Sequence, residues 1–380
     1  MSPDTSLLAL GLMSGTSCDG VGAALIETDG RRQVRALAAL TNPYPDAFRT
    51  RLRRALGDPA AGQAIAAELT DRHAEAVRSL LRQAGRSADA VRVVGFHGQT
   101  ILHAPERRYT LQVGDGARLA RETGIDVVSD FRSRDVAEGG EGAPFAPLFH
   151  WALAASLPRP LGVLNLGGVG NATWIGEDKA GIGEDKIGIG EDKNSEPNLL
   201  AFDTGPGNGL LDDWAFKTTG QHFDRNGDLA RAGKVDRAVL ATLMTNPYFD
   251  RPAPKSLDRE HFNATARAAL APLSPADGAA TLVAFTVEAV ARGQSQFPAA
   301  INRWIVTGGG RHNPVVMEAL RRRLGLAVDA VEAVGWDGDH LEAQAFAYLA
   351  VRSLKGLPLS LPSTTGVPRP MPGGRLDRHR

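Results

Sequence analysis

Short apolar runs separated by turn residues dominate the first forty positions of the chain. The runs at 7–13, 21–28 and 33–40 are separated by stretches rich in Gly, Ser and Asp. Runs of this length bounded by turn residues are typical of strands joined by tight connections. We therefore predict an antiparallel meander of three strands at the start of the chain.

The same pattern returns in the second half of the chain. Apolar runs at 162–166, 171–175 and 199–203 are again combined with a glycine turn, at 167–170. A repeated meander followed by helices indicates an internally duplicated α/β protein. Two such halves facing each other would enclose a cleft.

Helical spacing follows each meander. Apolar residues recur at helical intervals between 65 and 81, and Gly85 is a stop signal for that helix. A second helix is predicted at 341–354. A strand at 301–306 runs into three glycines, and Asn313 is a suitable N-cap for the helix after it.

Other segments look irregular. We predict a surface loop at 223–233 and a disordered tail from Pro368 onward, which is rich in Pro, Gly and Arg. The sequence Ile-Gly-Glu-Asp-Lys occurs three times, with a period of seven, between 175 and 193. Its glycines and the lack of a sustained apolar face argue against a coiled coil. We interpret residues 176–197 as a flexible hairpin extension without a catalytic role.

Composition narrows the function. A chain of 380 residues favours two domains. Its 43 basic and 43 acidic residues leave no net charge, which argues against nucleic acid or a membrane surface as partner and favours a small ligand. No apolar stretch approaches the ~20 residues of a membrane span. Cys18 is the single cysteine, so the chain has no internal disulfide and fits a reducing cytoplasm.

Asp203 is the strongest candidate for catalysis. The apolar run 199–202 delivers it into a turn that contains Gly205, Pro206 and Gly207. Glycines allow backbone N–H groups to approach an anion closely. A carboxylate at the end of such a strand faces the ligand that binds at the turn, so we predict that Asp203 is a catalytic base.

The turn at 15–20 and the residues after the strand 91–96 are further candidates. The turn offers N–H and O–H donors without bulk, and Asp19 could hold a metal ion through water. An ordinary polar hairpin explains the turn equally well. His97 and Gln99 are typical of a sugar-binding edge, although a structural histidine is the simpler interpretation of His97 alone.

Two further segments carry charges with alternative interpretations. The acids and arginines at 130–135 form either a solvated ion-pair network or a grip for a carboxylate or sugar hydroxyls. Lys255 is either an anion contact or, more simply, a surface lysine. The residues themselves leave both alternatives open.

Several strand-ending glycine turns in a duplicated α/β chain resemble the superfamily of sugar kinases, heat-shock chaperone ATPases and actin. The spacings of the P-loop and of the dinucleotide-binding glycine motif are missing. Within the superfamily, the chain resembles the anhydro-N-acetylmuramic acid kinase family. The motifs that carry this resemblance are residues 11–20, 97–100, 130–132, 142–144, 165–168, 202–208, 254–256 and 308–310.

The resemblance implies an α/β, duplicated two-lobed actin-like ATPase fold of the ribonuclease H-like type, with a nucleotide cleft between the lobes. Lobe I would comprise residues 1–130 plus 346–380, and lobe II residues 131–345. The implied reaction converts 1,6-anhydro-N-acetylmuramic acid, water and ATP into the 6-phosphate, with Mg²⁺, as a step of peptidoglycan recycling. The enzyme would be a cytoplasmic homodimer.

The resemblance also implies roles for individual residues. Asp203 would be the base, Glu342 a helper and Asp19 the metal contact. The residues implied to contact the sugar are His97, Gln99, Arg132 and Asp135. Those implied to bind ATP are Gly15, Thr16, Ser17, Cys18, Asp19, Gly20, Val21, Gly22, Gly167, Gly168, Gly205, Gly207, Asn208, Gly308, Gly309 and Gly310.

Two positions depart from the family pattern, in which an Asp is usual at Gly22 and a Gln at Glu141. We expect the first to change a loop contact and the second to alter the grip on the substrate, while Asp203 remains. Two rival functions share the same fold: a kinase for another, open amino sugar, and a non-enzymatic nucleotide switch of the actin or chaperone kind. Substrate tests separate the first, and a partner surface or polymer contacts would be needed for the second.

Overall fold

A computed structural model describes residues 5–15, 18–177 and 197–380. Within these residues the strands are β1 (Leu7–Ser14), β2 (Gly20–Thr28), β3 (Val34–Pro43), β4 (Val93–Ala104), β5 (Tyr109–Val113), β6 (Val127–Ser129), β7 (Leu161–Leu166), β8 (Val169–Ile175), β9 (Leu199–Pro206), β10 (Arg303–Thr307), β11 (Ala327–Ala330) and β12 (Arg375–Asp377). The helices are α1 (Asp46–Ala55), α2 (Pro59–Ala84), α3 (Gly116–Thr123), α4 (Ser133–Ala137), α5 (Pro147–Leu153), α6 (Gly209–Thr219), α7 (Asp228–Ala232), α8 (Arg237–Met244), α9 (Asn263–Leu270), α10 (Pro275–Gln294), α11 (Pro314–Leu324), α12 (Leu341–Leu354) and α13 (Pro362–Thr365).

The two sheets repeat one topology. The first contains the order β3-β2-β1-β4-β6, with β1 to β3 antiparallel and β4 and β6 parallel to β1, and it is extended by β12 beside β6 and β5 beside β4. The second has the order β9-β8-β7-β10-β11, with β7 to β9 antiparallel and β10 and β11 parallel to β7. This repetition confirms the predicted duplicated α/β fold of the actin-like, ribonuclease H-like type.

Each sheet has its own hydrophobic core. Helix α2 covers the first sheet, where Leu69 and Val77 are buried in the same cluster as Leu10 and Phe96. Helix α10 packs on the second sheet, where Phe285 is buried in the same cluster as Leu164 and Val306. Full burial of one such side chain stabilises the fold by roughly 1.5 to 3 kcal/mol. The predicted stop of α2 is confirmed, since Gly85 is its left-handed C-cap residue.

Helix α12 lies unusually close to the first sheet because two strand positions lack side chains. A Cβ atom on Gly11 of β1 would lie 1.8 Å from the carbonyl oxygen of Ala343. A Cβ on Gly95 of β4 would lie 2.1 Å from the carbonyl oxygen of Phe346. The helix backbone therefore rests directly on β1 and β4. The first turn of this helix carries Glu342.

Four structural predictions were wrong: a surface loop, a disordered tail and the ends of two strands. Residues 223–233 contain α7, whose amides at Leu229 and Ala230 donate to the buried Asp224 carboxylate. The tail forms β12, which pairs with β6 through backbone hydrogen bonds that composition does not reveal. Strands β4 and β9 continue past the expected ends, so residues 97–100 and Gly205 lie inside strands.

Some expectations fall outside what the structure describes. Of the repeat extension at 176–197, residues 178–196 lie outside the described residues. At its base, the Gly176 amide donates to the Asn198 carbonyl at 2.9 Å, which continues the pairing of β8 and β9. The residue boundaries of the two lobes stay a prediction. Within the described ranges, no helix has the length and apolar character needed to cross a membrane.

The contact between Gly11 and α12 yields a stability prediction. We expect Gly11→Ala to lower the free energy of unfolding by about 1 to 3 kcal/mol, the usual cost of overpacking a core. Gly22→Ala is the matched control, because a Cβ there would have no neighbour closer than 3.6 Å. Chemical denaturation of both variants measures the difference. Equal stability of the two variants would contradict the close approach of α12.

Candidate active site

Asp203 is buried near the end of β9 and is held by the segment 255–257. Its Oδ2 accepts a hydrogen bond from the Leu257 amide at 2.8 Å, and its own amide donates to the Lys255 carbonyl at 2.9 Å. Burial raises the pKa of Asp203 to about 7, opposed by the Leu257 hydrogen bond and by the charge of Arg132. A carboxyl group that changes protonation near neutral pH is suited to general-base chemistry.

Arg132 follows β6 and is held by two acceptors. Its Nε donates to Nε2 of His97 at 3.0 Å, and its Nη1 donates to the Gly142 carbonyl at 2.6 Å. Burial lowers the pKa of Arg132, while the negative charges of Glu342, Asp203 and Asp135 act in the opposite direction. The structure therefore brings this arginine and the carboxylates of Asp203 and Glu342, distant in sequence, into one electrostatic unit.

His97 is buried and directs its ring at Arg132. Its Nδ1 lies 2.9 Å from the Gly98 carbonyl, so the proton is assigned to Nδ1 and Nε2 is left to accept from Arg132. Burial and the neighbouring arginine place the pKa of His97 well below its usual value, so the ring is neutral. Because both ring nitrogens have protein partners, His97 orients Arg132. Its direct contact with a sugar stays a prediction.

Gln99 and Asp135 are also occupied by protein partners. Gln99 is fully buried, and its Oε1 accepts from the Ser14 hydroxyl at 2.6 Å, which ties β4 to the end of β1. Asp135 is buried and accepts from the Thr365 hydroxyl at 2.6 Å and the Gly142 amide at 2.8 Å. Both side chains hold the walls of the site together, and their contact with a sugar stays a prediction.

Glu342 connects the two sheets. Its Oε1 accepts from Nδ2 of Asn165, the penultimate residue of β7, at 3.0 Å. The residue retains solvent-exposed surface, but partial desolvation by the surrounding protein raises the pKa of its carboxyl group. The Asn165 hydrogen bond and the charge of Arg132 oppose this rise. A carboxylate in this position can act on a ligand between the sheets.

Three glycine turns meet at the ends of β7, β9 and β10. The amides of Gly207 and Asn208 donate to the carbonyls of Gly168 and Gly167 at 3.1 and 2.7 Å. A Cβ on Gly308 would lie 2.4 Å from Oδ1 of Asn165. Side chains would therefore not fit where the turns touch.

The turns do not all offer open amides. The amides of Gly207 and Asn208 are already used in hydrogen bonds between two turns. Gly205 packs against α10, and a Cβ atom on Gly205 would lie 2.8 Å from the methyl group of Ala289. Gly309 and Gly310 adjoin the side chain of Asn208. The glycines predicted to bind ATP at 167–168, 205–207 and 308–310 are thus neighbours, although close packing alone explains Gly205.

The first turn joins β1 to β2. The Cys18 amide donates to the Gly15 carbonyl at 3.1 Å, and burial raises the pKa of its thiol to about 11, so the thiol is not a nucleophile. Asp19 is exposed and forms an ion pair with Arg49. Gly20, Val21 and Gly22 belong to β2. Thr16 and Ser17 lie outside the described residues, and the described part of the chain has no cluster of three or more metal-ligating side chains.

The sequence patterns did not predict the residues that contact the backbone of Asp203. The Tyr248 hydroxyl donates to the Asp203 carbonyl at 2.5 Å. Lys255, for which a surface lysine was the simpler of two interpretations, is buried, and its Nζ donates to the carbonyls of Arg251 at 2.8 Å and Tyr248 at 3.1 Å. Burial lowers the pKa of this lysine to about 8. The motif Pro254 to Ser256 was the only signal for this segment, since its contacts are mostly with backbone atoms.

The buried Lys255 yields a second stability prediction. We expect Lys255→Met to lower the free energy of unfolding by about 1 to 3 kcal/mol, because carbonyl groups are left buried without a donor. Lys234→Met, at an exposed position, is the control and should change stability by less than about 0.5 kcal/mol. Thermal denaturation measures both. A neutral Lys255→Met substitution would show that the ammonium group does not hold the segment.

Comparison with known sequences gives one consistent result. The family model for anhydro-N-acetylmuramic acid kinase matches residues 7–191 and 193–376. The anhydro-N-acetylmuramic acid kinase of Rhodospirillum rubrum is 52% identical over 379 residues, covering 98% of this chain and 94% of the relative. That of Acidiphilium cryptum is 55% identical over 378 residues, covering 97% and 98%. Among solved structures, a ROK family glucokinase from Streptomyces griseus with glucose and AMPPNP has a TM-score of 0.42 at 17% identity, covering 90% and 99%.

Proposed function

The chain belongs to the anhydro-N-acetylmuramic acid kinase family, and from this membership we propose that it opens 1,6-anhydro-N-acetylmuramic acid with water and phosphorylates O6 at the expense of ATP. The product would be N-acetylmuramic acid 6-phosphate, an intermediate of peptidoglycan recycling. One observation carries the proposal beyond family membership. A buried carboxyl group with a pKa near 7, Asp203, lies within the electrostatic influence of Arg132.

The substrate demands more than phosphoryl transfer. In the anhydro-sugar, O6 is bonded to the anomeric carbon, so no free 6-hydroxyl exists. A water molecule must form a bond to the anomeric carbon while the bond from that carbon to O6 breaks. O6 then forms a bond to the γ-phosphorus of ATP, and ADP leaves. The proton lost by the water must go to a base.

Asp203 is suited to take that proton. Its carboxylate is fixed by the Leu257 amide, and its pKa permits it to be ionised at neutral pH before the reaction and to accept a proton during it. After product release, the proton passes to solvent. The cation of Arg132, held by neutral His97, favours the ionised state of Asp203 and would stabilise negative charge on the reacting groups.

The nucleotide would lie along the glycine turns. The first turn at 15–22 and the turns at 167–168 and 308–310 lack bulky side chains, which suits close approach of phosphates and ribose. Mg²⁺ bound with ATP commonly takes only one or two carboxylates of the protein, and the exposed Asp19 fits that need. The ion would neutralise charge on the phosphates. Glu342, tied to Asn165, is the second acidic group we assign to the site.

The setting of the enzyme is part of the same proposal. A single cysteine fits a reducing compartment, and we propose the cytoplasm. A homodimer is the expected assembly of the family, and sedimentation of the purified protein measures it.

Product analysis tests the reaction. Purified protein with ATP, Mg²⁺ and the anhydro-sugar in ¹⁸O-water should give the 6-phosphate with the label on the anomeric carbon and none in the phosphate ester, as mass spectrometry of fragments reports. Asp203→Asn keeps the shape and removes the basicity, so we expect turnover to fall by ~10²-fold or more. Label in the ester, phosphorylation of an open amino sugar instead, or near-normal turnover of the variant would each refute the corresponding part of the proposal.

The pH dependence provides an independent check on Asp203. The ionised carboxylate is the active form, so kcat/KM for the sugar should be constant above its pKa of about 7 and fall roughly tenfold per pH unit below it. Initial rates at saturating ATP and low sugar between pH 5 and 9 measure this limb. A profile that stays flat down to pH 5.5 would exclude a base with the pKa of Asp203.

A further inference from the structure

Glu141 lies on the segment that joins the two sheets, and its carboxylate contacts the loop 251–257, which also holds Asp203. Oε2 accepts hydrogen bonds from the Ser256 amide at 3.0 Å and the Ser256 hydroxyl at 2.8 Å. Oε1 accepts from Nη2 of Arg251 at 3.0 Å. One side chain therefore binds three donors on one neighbouring loop.

Ser256 is the central residue of the segment that holds Asp203. On one side of it, the Lys255 carbonyl accepts from the Asp203 amide at 2.9 Å. On the other side, the Leu257 amide donates to Oδ2 of Asp203 at 2.8 Å. Any displacement of Ser256 would move both contacts of Asp203. The hydrogen bonds that Ser256 donates to Glu141 thus act on Asp203 through a single residue.

The backbone of Glu141 is fixed on its other side. Its amide donates to the Thr365 carbonyl at 2.6 Å. The next residue, Gly142, donates its amide to Asp135 at 2.8 Å and accepts from Arg132 at 2.6 Å through its carbonyl. Glu141 is therefore adjacent to Gly142, which accepts from Arg132, while its side chain holds Ser256.

We propose that Glu141 is a positioning residue that fixes the spacing between Asp203 and Arg132 by holding Ser256 from the segment that also holds the arginine. The inference rests on the proposed role of Asp203 as the base. It assigns to Glu141 no contact with the substrate.

The charge of Glu141 has a separate effect from its hydrogen bonds. Around Asp203, Arg132 lowers the pKa of the carboxyl group and Glu141 raises it. Tyr248 donates its hydroxyl to the Asp203 carbonyl and is neutral because burial raises its pKa, and the Lys255 ammonium is turned to the carbonyls of Tyr248 and Arg251. Removal of the negative charge should therefore lower the pKa of Asp203.

Two variants separate the two effects. Glu141→Gln, which gives the residue usual in the family, removes the charge and weakens the contact with Arg251, but its amide oxygen can still accept from Ser256, so we expect kcat to fall severalfold at most and the acid limb of kcat/KM to move to lower pH. Ser256→Ala keeps the charge and loses one hydrogen bond, so kcat should fall severalfold with the acid limb unmoved. KM for ATP should change less than kcat in both. Glu138→Gln, an exposed position in the same segment, is the control and should match the wild type.

A measurement without turnover separates this inference from the proposed reaction. The carboxyl carbon of Asp203, identified in ¹³C-aspartate-labelled protein by its absence in Asp203→Asn, should titrate at lower pH in Glu141→Gln than in the wild type. If the wild type does not convert the anhydro-sugar but this shift is present, the reaction is wrong and the coupling of Glu141 to Asp203 is supported. An unshifted titration in folded Glu141→Gln, or an unchanged kcat in folded Ser256→Ala, would overturn the role of Glu141.

Discussion

The backbone contact between α12 and the first sheet fixes much of the site. Because Gly11 and Gly95 have no side chains, the carbonyls of Ala343 and Phe346 reach positions that a Cβ would occupy. At this short distance the ring of Phe346 packs against His97, with 4.5 Å between ring centroids. His97 in turn accepts from Arg132. The position of one helix is thus transmitted through a ring contact and a hydrogen bond to the cation of the site.

The protonation state of Asp203 results from opposing effects, of which burial is the largest. Burial alone disfavours its charged form, whereas the Leu257 amide and Arg132 favour it. A fully solvated carboxylate would be a weak base, and a buried carboxyl group without a cation would stay protonated at neutral pH. Arg132 can supply the compensating charge because its own acceptors, His97 and the Gly142 carbonyl, are neutral. The pKa of Asp203 near 7 therefore depends on Arg132 donating to neutral acceptors rather than to a carboxylate.

Local patterns predicted those parts of the fold that local physics determines. The strands β1 to β3 and β7 to β9 and the bounds of α12 are confirmed, since alternation, turn residues and helical spacing are visible in the sequence. Asp203 was identifiable because it follows an apolar strand and precedes glycines. By contrast, the burial of Lys255 was not predicted, because its ammonium group is held by backbone carbonyls of residues 248–251, and a sequence pattern does not show where carbonyls lie. Strand β12 was missed for the same reason, since only its pairing with β6 orders it.

The same argument explains why candidate residues for the site could be named from the sequence, whereas their contacts could not. Its acidic and basic groups come from a strand end, a helix start and a connecting segment, and each is held by a partner far along the chain. Asn165 of the second sheet binds Glu342 of α12, which rests on the first sheet. Glu141 binds Ser256 from a segment whose backbone is fixed by Thr365. Both contacts are polar and join residues that are far apart in the sequence. Partners brought together by the fold in this way have no local signature in the sequence, so only the structure shows that Glu342 and Asp203 both act on the charge of Arg132.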